Sequence, residues 1–148
     1  MTLDSLVGKG LERAPASKQE ISRYLAKIRR KIADCKQKTL SLDTRFDTAF
    51  AALLQVALAA LRANGYRTTS EAGHQQIAIQ LLPKTIGMDR VDIRMLDEYR
   101  KKRSIGLYDA SFDPSEAEVK AVIGSVESLF DNLLKWLRKN HPELAVSV

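Results

Sequence analysis

The sequence contains few of the residues that build metal, disulfide and nucleophilic sites. Among 148 residues there is one cysteine, Cys35, and there are two histidines, His74 and His141. A lone cysteine forms no internal disulfide, and two histidines outside any ligand-spaced cluster argue against a zinc or di-iron site. A Gly-x-Ser-x-Gly elbow is absent and a triad base is scarce, which disfavours serine hydrolysis. We therefore expect neither a metal nor a cofactor.

Glycine-rich loops and long apolar runs are also missing. The seven glycines are scattered, so the chain has no glycine-rich phosphate loop. No apolar run reaches the roughly 18 residues of a membrane-spanning helix, and the N-terminus lacks the cationic leader and apolar core of a signal peptide. Cys35 falls at helical spacing on an apolar face, which predicts a buried thiol. These features favour a cytoplasmic protein with no membrane partner.

Positive charge is in excess and is concentrated near the N-terminus. The net charge is +6; residues 1–40 contain 10 Lys and Arg against 4 Asp and Glu, whereas residues 41–148 contain 14 of each sign. Such a basic first helix suits nucleic acid or an acidic partner, or is simply a solvated face. The run Arg100-Lys101-Lys102-Arg103 differs, because it is a cationic island in a neutral background.

Apolar residues recur at helical spacing through most of the chain. A capping-box pattern from Ser17 to Glu20 precedes a first helix of about 20 residues. Asp43 is the predicted N-cap of a second, alanine-rich helix that ends at Asn64-Gly65. Because this second helix is apolar nearly all round, we expect it at the centre of the fold.

Three more helices are predicted in the second half of the chain. Ser70-Glu71 opens a third helix that Pro83 ends, and Asp89 precedes a fourth helix that carries the cationic island. Asp113, followed by Pro114, is the predicted cap of a last long helix. No segment alternates in the manner of a strand.

The predicted fold is therefore all-α, an up-and-down bundle of four long helices and one short helix. We expect one domain, because the length suits one and no repeat is evident. The predicted divisions are a flexible arm at 1–16, a helical-bundle domain at 17–141 and a tail at 142–148.

The cationic island continues into Ser104-Ile105-Gly106-Leu107-Tyr108-Asp109. On a helix, Arg100, Ser104 and Tyr108 recur at i, i+4 and i+8 and share one face. A guanidinium beside a hydroxyl and a phenol suits a phosphate or an RNA backbone. Alternatively, the cations form a solvated helix end, Tyr108 is a packing aromatic, and Asp109 is an ion-pair partner of Arg103 or of a cation on a neighbouring helix.

These residues carry a resemblance to a known family. An all-helical chain of this size, whose late helix ends in Arg-Lys-Lys-Arg-Ser-Ile-Gly-Leu-Tyr-Asp before a long amphipathic helix, resembles the HEPN superfamily. In those domains an arginine and a polar residue precede a histidine near that helix end. Arg103 matches the arginine, Ser104 stands where asparagine is common, and Tyr108 replaces the histidine. The resemblance covers residues 18–140 in layout and six residues in motif.

The resemblance implies a metal-independent ribonuclease or an RNA-binding module, often a homodimer whose two motifs face one cleft. It also implies a toxin or defence role, in some members with a nucleotidyltransferase-type antitoxin as partner. The residues it implicates are Arg103 as phosphate ligand and charge stabiliser, Tyr108 as hydrogen-bond donor or general acid, Ser104 as orienting group, and Arg100, Lys101 and Lys102 in substrate binding. Since a phenol with a pKa near 10 is a poor base, the motif predicts binding better than fast turnover.

A second class of function stays open, that of a non-catalytic homodimeric protein-interaction module. In that class the basic first helix, or the apolar faces of the helices, bind a partner protein. Salt dependence separates the two classes, because binding to several phosphates weakens steeply with salt and an apolar helix interface does not.

Overall fold

The computed structural model describes residues 2–69 and 73–144. Within them the chain is mostly helical, with six α-helices and two short strands. In chain order these are β1 (Leu11–Arg13), α1 (Lys18–Cys35), α2 (Leu42–Ala63), β2 (Tyr66–Thr68), α3 (His74–Gln80), α4 (Leu82–Thr85), α5 (Arg90–Tyr108) and α6 (Glu116–Asn140). The predicted all-α class is confirmed.

Helix α2 lies at the centre, as its apolar sequence predicts. Phe46, Phe50 and Leu53 are completely buried, and α1 and α6 both pack against this helix. Its many alanines allow that close approach on more than one side. By length and composition α2 is also the one helix in the described ranges that could cross a membrane, but 67% of its most apolar window is buried inside the protein.

Two helix starts differ from the sequence prediction, and in both cases serine replaces the predicted aspartate as the cap. Ser41, not Asp43, precedes α2, and its hydroxyl accepts an N–H of the first turn at 3.1 Å. Ser115, not Asp113, precedes α6, where it forms a complete capping box with Glu118. The box satisfies two N–H groups at once, which fixes the start of α6 two residues after the predicted cap.

The N-terminal segment, expected to be a flexible arm, packs against the rest of the fold. Strand β1 pairs antiparallel with β2, and Leu11 is completely buried in a small cluster with Leu61 and Leu81. Beyond the strand, Arg62 donates hydrogen bonds to the carbonyl oxygens of Ala14 and Pro15. Each strand has only three residues, which is too short for an alternating pattern to be read from sequence.

The predicted third helix is divided in two. Its expected start at Ser70-Glu71 lies outside the described residues. Helix α3 ends at Gln80, and α4 follows with Pro83 in its first turn, a position that tolerates proline because its missing N–H has no helical partner there. Of the predicted tail, residues 142–144 are described and form a turn.

Helix α5 packs against the rest of the fold along its first half, and its last turn is exposed to solvent. Leu96 and Tyr99 are buried, and the Tyr99 hydroxyl lies 3.2 Å from Ser125 Oγ of α6. From residue 104 to residue 111 every residue is exposed. Ser104 and Tyr108 of the predicted site therefore lie on an exposed helix end, whereas Lys102 and Arg103 remain in contact with α6 and α2.

Candidate functional site

The predicted site residues occupy the last three turns of α5. Helical periodicity places Arg100, Ser104 and Tyr108 along one face. Ser104 is exposed, and Tyr108 is 88% exposed, so Tyr108 does not pack as a core aromatic. Asp109 ends the helix and accepts the N–H of Ser111 at 3.0 Å; it makes no ion pair within the described residues.

Three of the four cations in the island have an acidic partner within 3.5 Å. Two of the partners belong to α5 itself, and the third belongs to α6. The pairs are Arg100 Nε with Asp97 Oδ1 at 2.8 Å, Lys101 Nζ with Glu98 Oε1 at 3.5 Å, and Lys102 Nζ with Glu118 Oε2 at 3.1 Å. A phosphate that bound here would have to compete with these carboxylates.

Arg103 is the exception in the island. Its guanidinium carbon lies 5.6 Å from the centre of the Phe50 ring, a cation–π contact, and its Nε lies 4.0 Å from Asp47 Oδ1. Its side chain is 29% exposed, and it makes no hydrogen bond to any described residue. The Nε is shielded from solvent, but the terminal nitrogens also make no hydrogen bond to a described residue, so they can donate to a phosphate oxygen.

The surroundings of Arg103 were not evident from the sequence. Asp47 and Phe50 belong to α2, more than 50 positions before Arg103 in the chain, so only tertiary packing brings them to it. Burial raises the pKa of the Asp47 carboxyl, and the nearby Arg103 opposes that rise. The only sequence signal was the position of Asp47 between Phe46 and Phe50, a pattern that any amphipathic helix shows.

A single chain does not bring Arg103 and Tyr108 to one point on α5. The two residues are five positions apart, which corresponds to about 140° around an α-helix. Arg103 points toward α2, whereas Tyr108 lies in solvent on the face of Arg100 and Ser104. The geometry therefore places an arginine and an exposed tyrosine on different faces of the same helix end, and it does not assemble an acid–base pair at one point.

A second cationic surface follows helix α1, where the sequence predicted a basic face. Arg23, Lys27 and Arg30 recur at i, i+4 and i+7, and none of them forms an ion pair within the described ranges. Together with Tyr24 and Gln55 they border a groove of about 490 Å³ between α1 and α2. Glu20 also lines this groove but pairs with Arg62, so the three cations face the groove without an ion pair of their own to a described residue.

The few residues that could act as a nucleophile or bind a metal form no catalytic or metal site in the described part of the chain. Cys35 is completely buried, as predicted, and its thiol donates to the Ile32 carbonyl at 3.1 Å. Burial raises the pKa of that thiol, so it is held in its unreactive neutral form. No group of three His, Cys, Asp or Glu side chains in residues 2–69 and 73–144 is arranged to hold a metal ion.

No protein-family model matches the chain, and comparisons with curated proteins and with solved structures find no match either.

Proposed function

We propose that the protein binds RNA and takes a backbone phosphate on Arg103. The observation that carries the proposal is the unfilled guanidinium of Arg103, held between Phe50 and Asp47 without a hydrogen-bond partner among the described residues. Arginine presents such a fork to phosphate bidentately. The unpaired cations of α1 supply the non-specific attraction that steers a polyanion to the surface.

The proposal includes a HEPN-like layout, with α1, α2, α5 and α6 as the four long helices of an up-and-down bundle. Its support is the order of the helices, the long amphipathic α6, and the spacing of Arg103 and Tyr108 at the end of α5. It also includes a nucleotidyltransferase-type antitoxin as a candidate partner, on the resemblance alone.

Binding is the leading activity, and metal-independent RNA cleavage is its extension. Cleavage needs a base for the 2′-hydroxyl and a cation for the phosphorane. Arg103 suits the second role, with Ser104 orienting the phosphate and Tyr108 donating a proton. No histidine accompanies Arg103 on α5, and a tyrosine is a poor general base, so we expect any cleavage to be slow.

The test compares binding and cleavage of a mixed-sequence labelled RNA, in EDTA, by wild type and two variants. Arg103→Ala removes the proposed ligand. Arg94→Ala is the matched control, since Arg94 is an exposed cation of the same helix without an ion pair in the described residues. We expect Arg103→Ala to weaken binding about tenfold, the loss of one charge-assisted contact, and Arg94→Ala to change it by less than about twofold. Equal effects of the two variants would contradict the site assignment.

A second candidate function is a homodimeric protein-interaction module, which the exposed end of α5 favours. Ile105, Leu107 and Tyr108, in the last turn of α5, are 46%, 56% and 88% exposed. Exposed apolar side chains that cluster in this way mark interaction surfaces. Light scattering of wild type, Leu107→Asp and the control Val91→Asp tests it: a dimer that only Leu107→Asp dissociates supports this function, and a monomeric wild type contradicts it.

A further inference from the structure

A cleft beside the first half of α6 gathers charges that the proposed function does not use. It lies where the end of α1 and the start of α2 meet the first half of α6, and its volume is about 680 Å³, within the usual range for small-molecule sites. Its charged lining residues are Lys36, Lys38, Arg45, Lys120, Glu116 and Glu127.

The cations of this cleft are only partly neutralised. Lys36 Nζ pairs with Glu127 Oε2 at 2.9 Å across the two helices. Lys38 and Lys120 have no acidic partner within the described ranges. Four cations against two carboxylates leave a formal excess of two positive charges in the cleft.

Arg45 is held so that its outer nitrogens remain available. Its Nε donates to the Cys35 carbonyl oxygen at 2.8 Å, which fixes the plane of the guanidinium at the end of α1. No other hydrogen bond from this side chain to a described residue occurs. A pre-oriented guanidinium loses less entropy when it binds an oxyanion than a freely moving one does.

The N-terminal ends of two helices and an apolar part of the lining complete the site. Arg45 and Glu116 belong to the first turns of α2 and α6, two long helices whose N-terminal ends carry partial positive charge. Ala117, Ile123 and Gly124 also line the cleft, and we call this apolar part of the lining its floor. An anion with an apolar part fits such a lining better than a bare ion does.

We propose that this cleft binds a small phosphate monoester, with its phosphate on Arg45, Lys38 and Lys120 and its organic part on the apolar floor. A phosphate monoester carries about two negative charges at pH 7, which matches the excess charge of the cleft. A monocarboxylate would neutralise only half of it. The proposal stands independently of RNA binding, because Arg103 does not line this cleft.

Isothermal titration calorimetry with adenosine 5′-monophosphate tests this inference, with adenosine as the probe that lacks the phosphate. We expect wild type to bind the monophosphate with a Kd below about 1 mM and adenosine at least about tenfold more weakly. The double variant Lys38→Ala/Lys120→Ala should weaken monophosphate binding at least about tenfold, since it removes two charge-assisted contacts.

The matched control is Lys135→Ala/Lys139→Ala, which removes two exposed cations of α6 that lie outside the cleft. This control and Arg103→Ala should bind the monophosphate within about twofold of wild type. The proposal is overturned if wild type does not bind, if adenosine binds equally well, or if the control loses as much affinity as the cleft variant. Loss in Arg103→Ala alone would place the phosphate on α5 and also overturn it.

Discussion

Two arginines show at the residue scale how differently a partly buried cation can be used. Arg62 has a side chain only 10% exposed and donates to both carboxylate oxygens of Glu20, at 2.6 and 2.9 Å. It also donates to the carbonyls of Ala14 and Pro15, so it joins the N-terminal segment to α1 and α2. Arg103 makes a cation–π contact with Phe50 but no hydrogen bond to a described residue. Arg62 therefore stabilises the fold, whereas the terminal N–H groups of Arg103 are available to a ligand.

Replacing Arg62 should destabilise the protein. Arg62→Met leaves Glu20 and three carbonyl oxygens, those of Ala14, Pro15 and Tyr66, without their donor. We expect a loss of roughly 2–3 kcal/mol in the free energy of unfolding, below the value for a fully buried pair because Glu20 is 35% exposed. Urea unfolding measures this loss. The control is Arg67→Met, which breaks the exposed pair with Glu12 and should cost less than about 1 kcal/mol. Equal losses would contradict the structural role.

The same ion pair predicts a pH dependence of stability. Hydrogen bonds from Arg62 hold the pKa of the Glu20 carboxyl below its ordinary value. A lowered pKa in the folded state gives stability that is present above the ordinary glutamate pKa of about 4.3 and is lost as the pH falls through the folded value. Urea unfolding at pH 7 and at pH 3 should therefore show wild type losing more stability than Glu20→Gln. Parallel losses in the two proteins would contradict this account.

At the scale of single elements, helix existence was predictable, and so were the caps Ser17, Asn64 and Asp89, but the starts of α2 and α6 were not. The stripes of α1, α2 and α6 follow from local spacing, and the structure has helices at all three places. The caps at these two starts were ambiguous, because Asp43 and Asp113 stand two residues from a serine that caps equally well. The backbone geometry of the first turn decides which of two nearby residues caps the helix, and residue type alone does not. The strands were missed because their pairing joins residues more than 50 positions apart.

The corrected start of α6 can be tested directly. Ser115→Ala removes the hydroxyl that accepts the Glu118 N–H at 3.1 Å, so we expect it to cost about 1 kcal/mol of unfolding free energy. Asp113→Ala, at the cap that the sequence suggested, should cost less than about 0.5 kcal/mol, as exposed surface positions do. Chemical denaturation of both variants ranks them, and the reverse order would show that α6 starts at Asp113.

At the scale of the whole molecule, the N-terminal segment belongs to the fold. Leu11 is completely buried against Leu61 and Leu81, so we expect Leu11→Ala to cost about 2–4 kcal/mol. The partly exposed Leu40 provides the control, and Leu40→Ala should cost less than about 1 kcal/mol. Thermal or urea unfolding gives both values. A Leu11→Ala variant as stable as wild type would show that the segment is a loose arm after all.

The candidate site was visible in the sequence only as a run of charges. Its position at the end of a helix followed from spacing, but the acids that neutralise Lys102 and approach Arg103 lie on other helices. Charge compensation of this kind is a tertiary property that a single sequence does not encode locally. For the same reason, the cations of the α1–α2–α6 cleft, spread from residue 36 to residue 120, stood out only in the structure.

The most direct measurement is the salt dependence of RNA binding by wild type and Arg103→Ala. For single strands, each phosphate contact adds about 0.7 to the slope of log K against log salt concentration. If Arg103 binds one phosphate, its removal should lower that slope by about 0.7, whereas Arg94→Ala should leave it unchanged within about 0.2. Slopes that are identical in all three proteins, or no RNA binding by wild type, would contradict the proposal that Arg103 is a phosphate ligand.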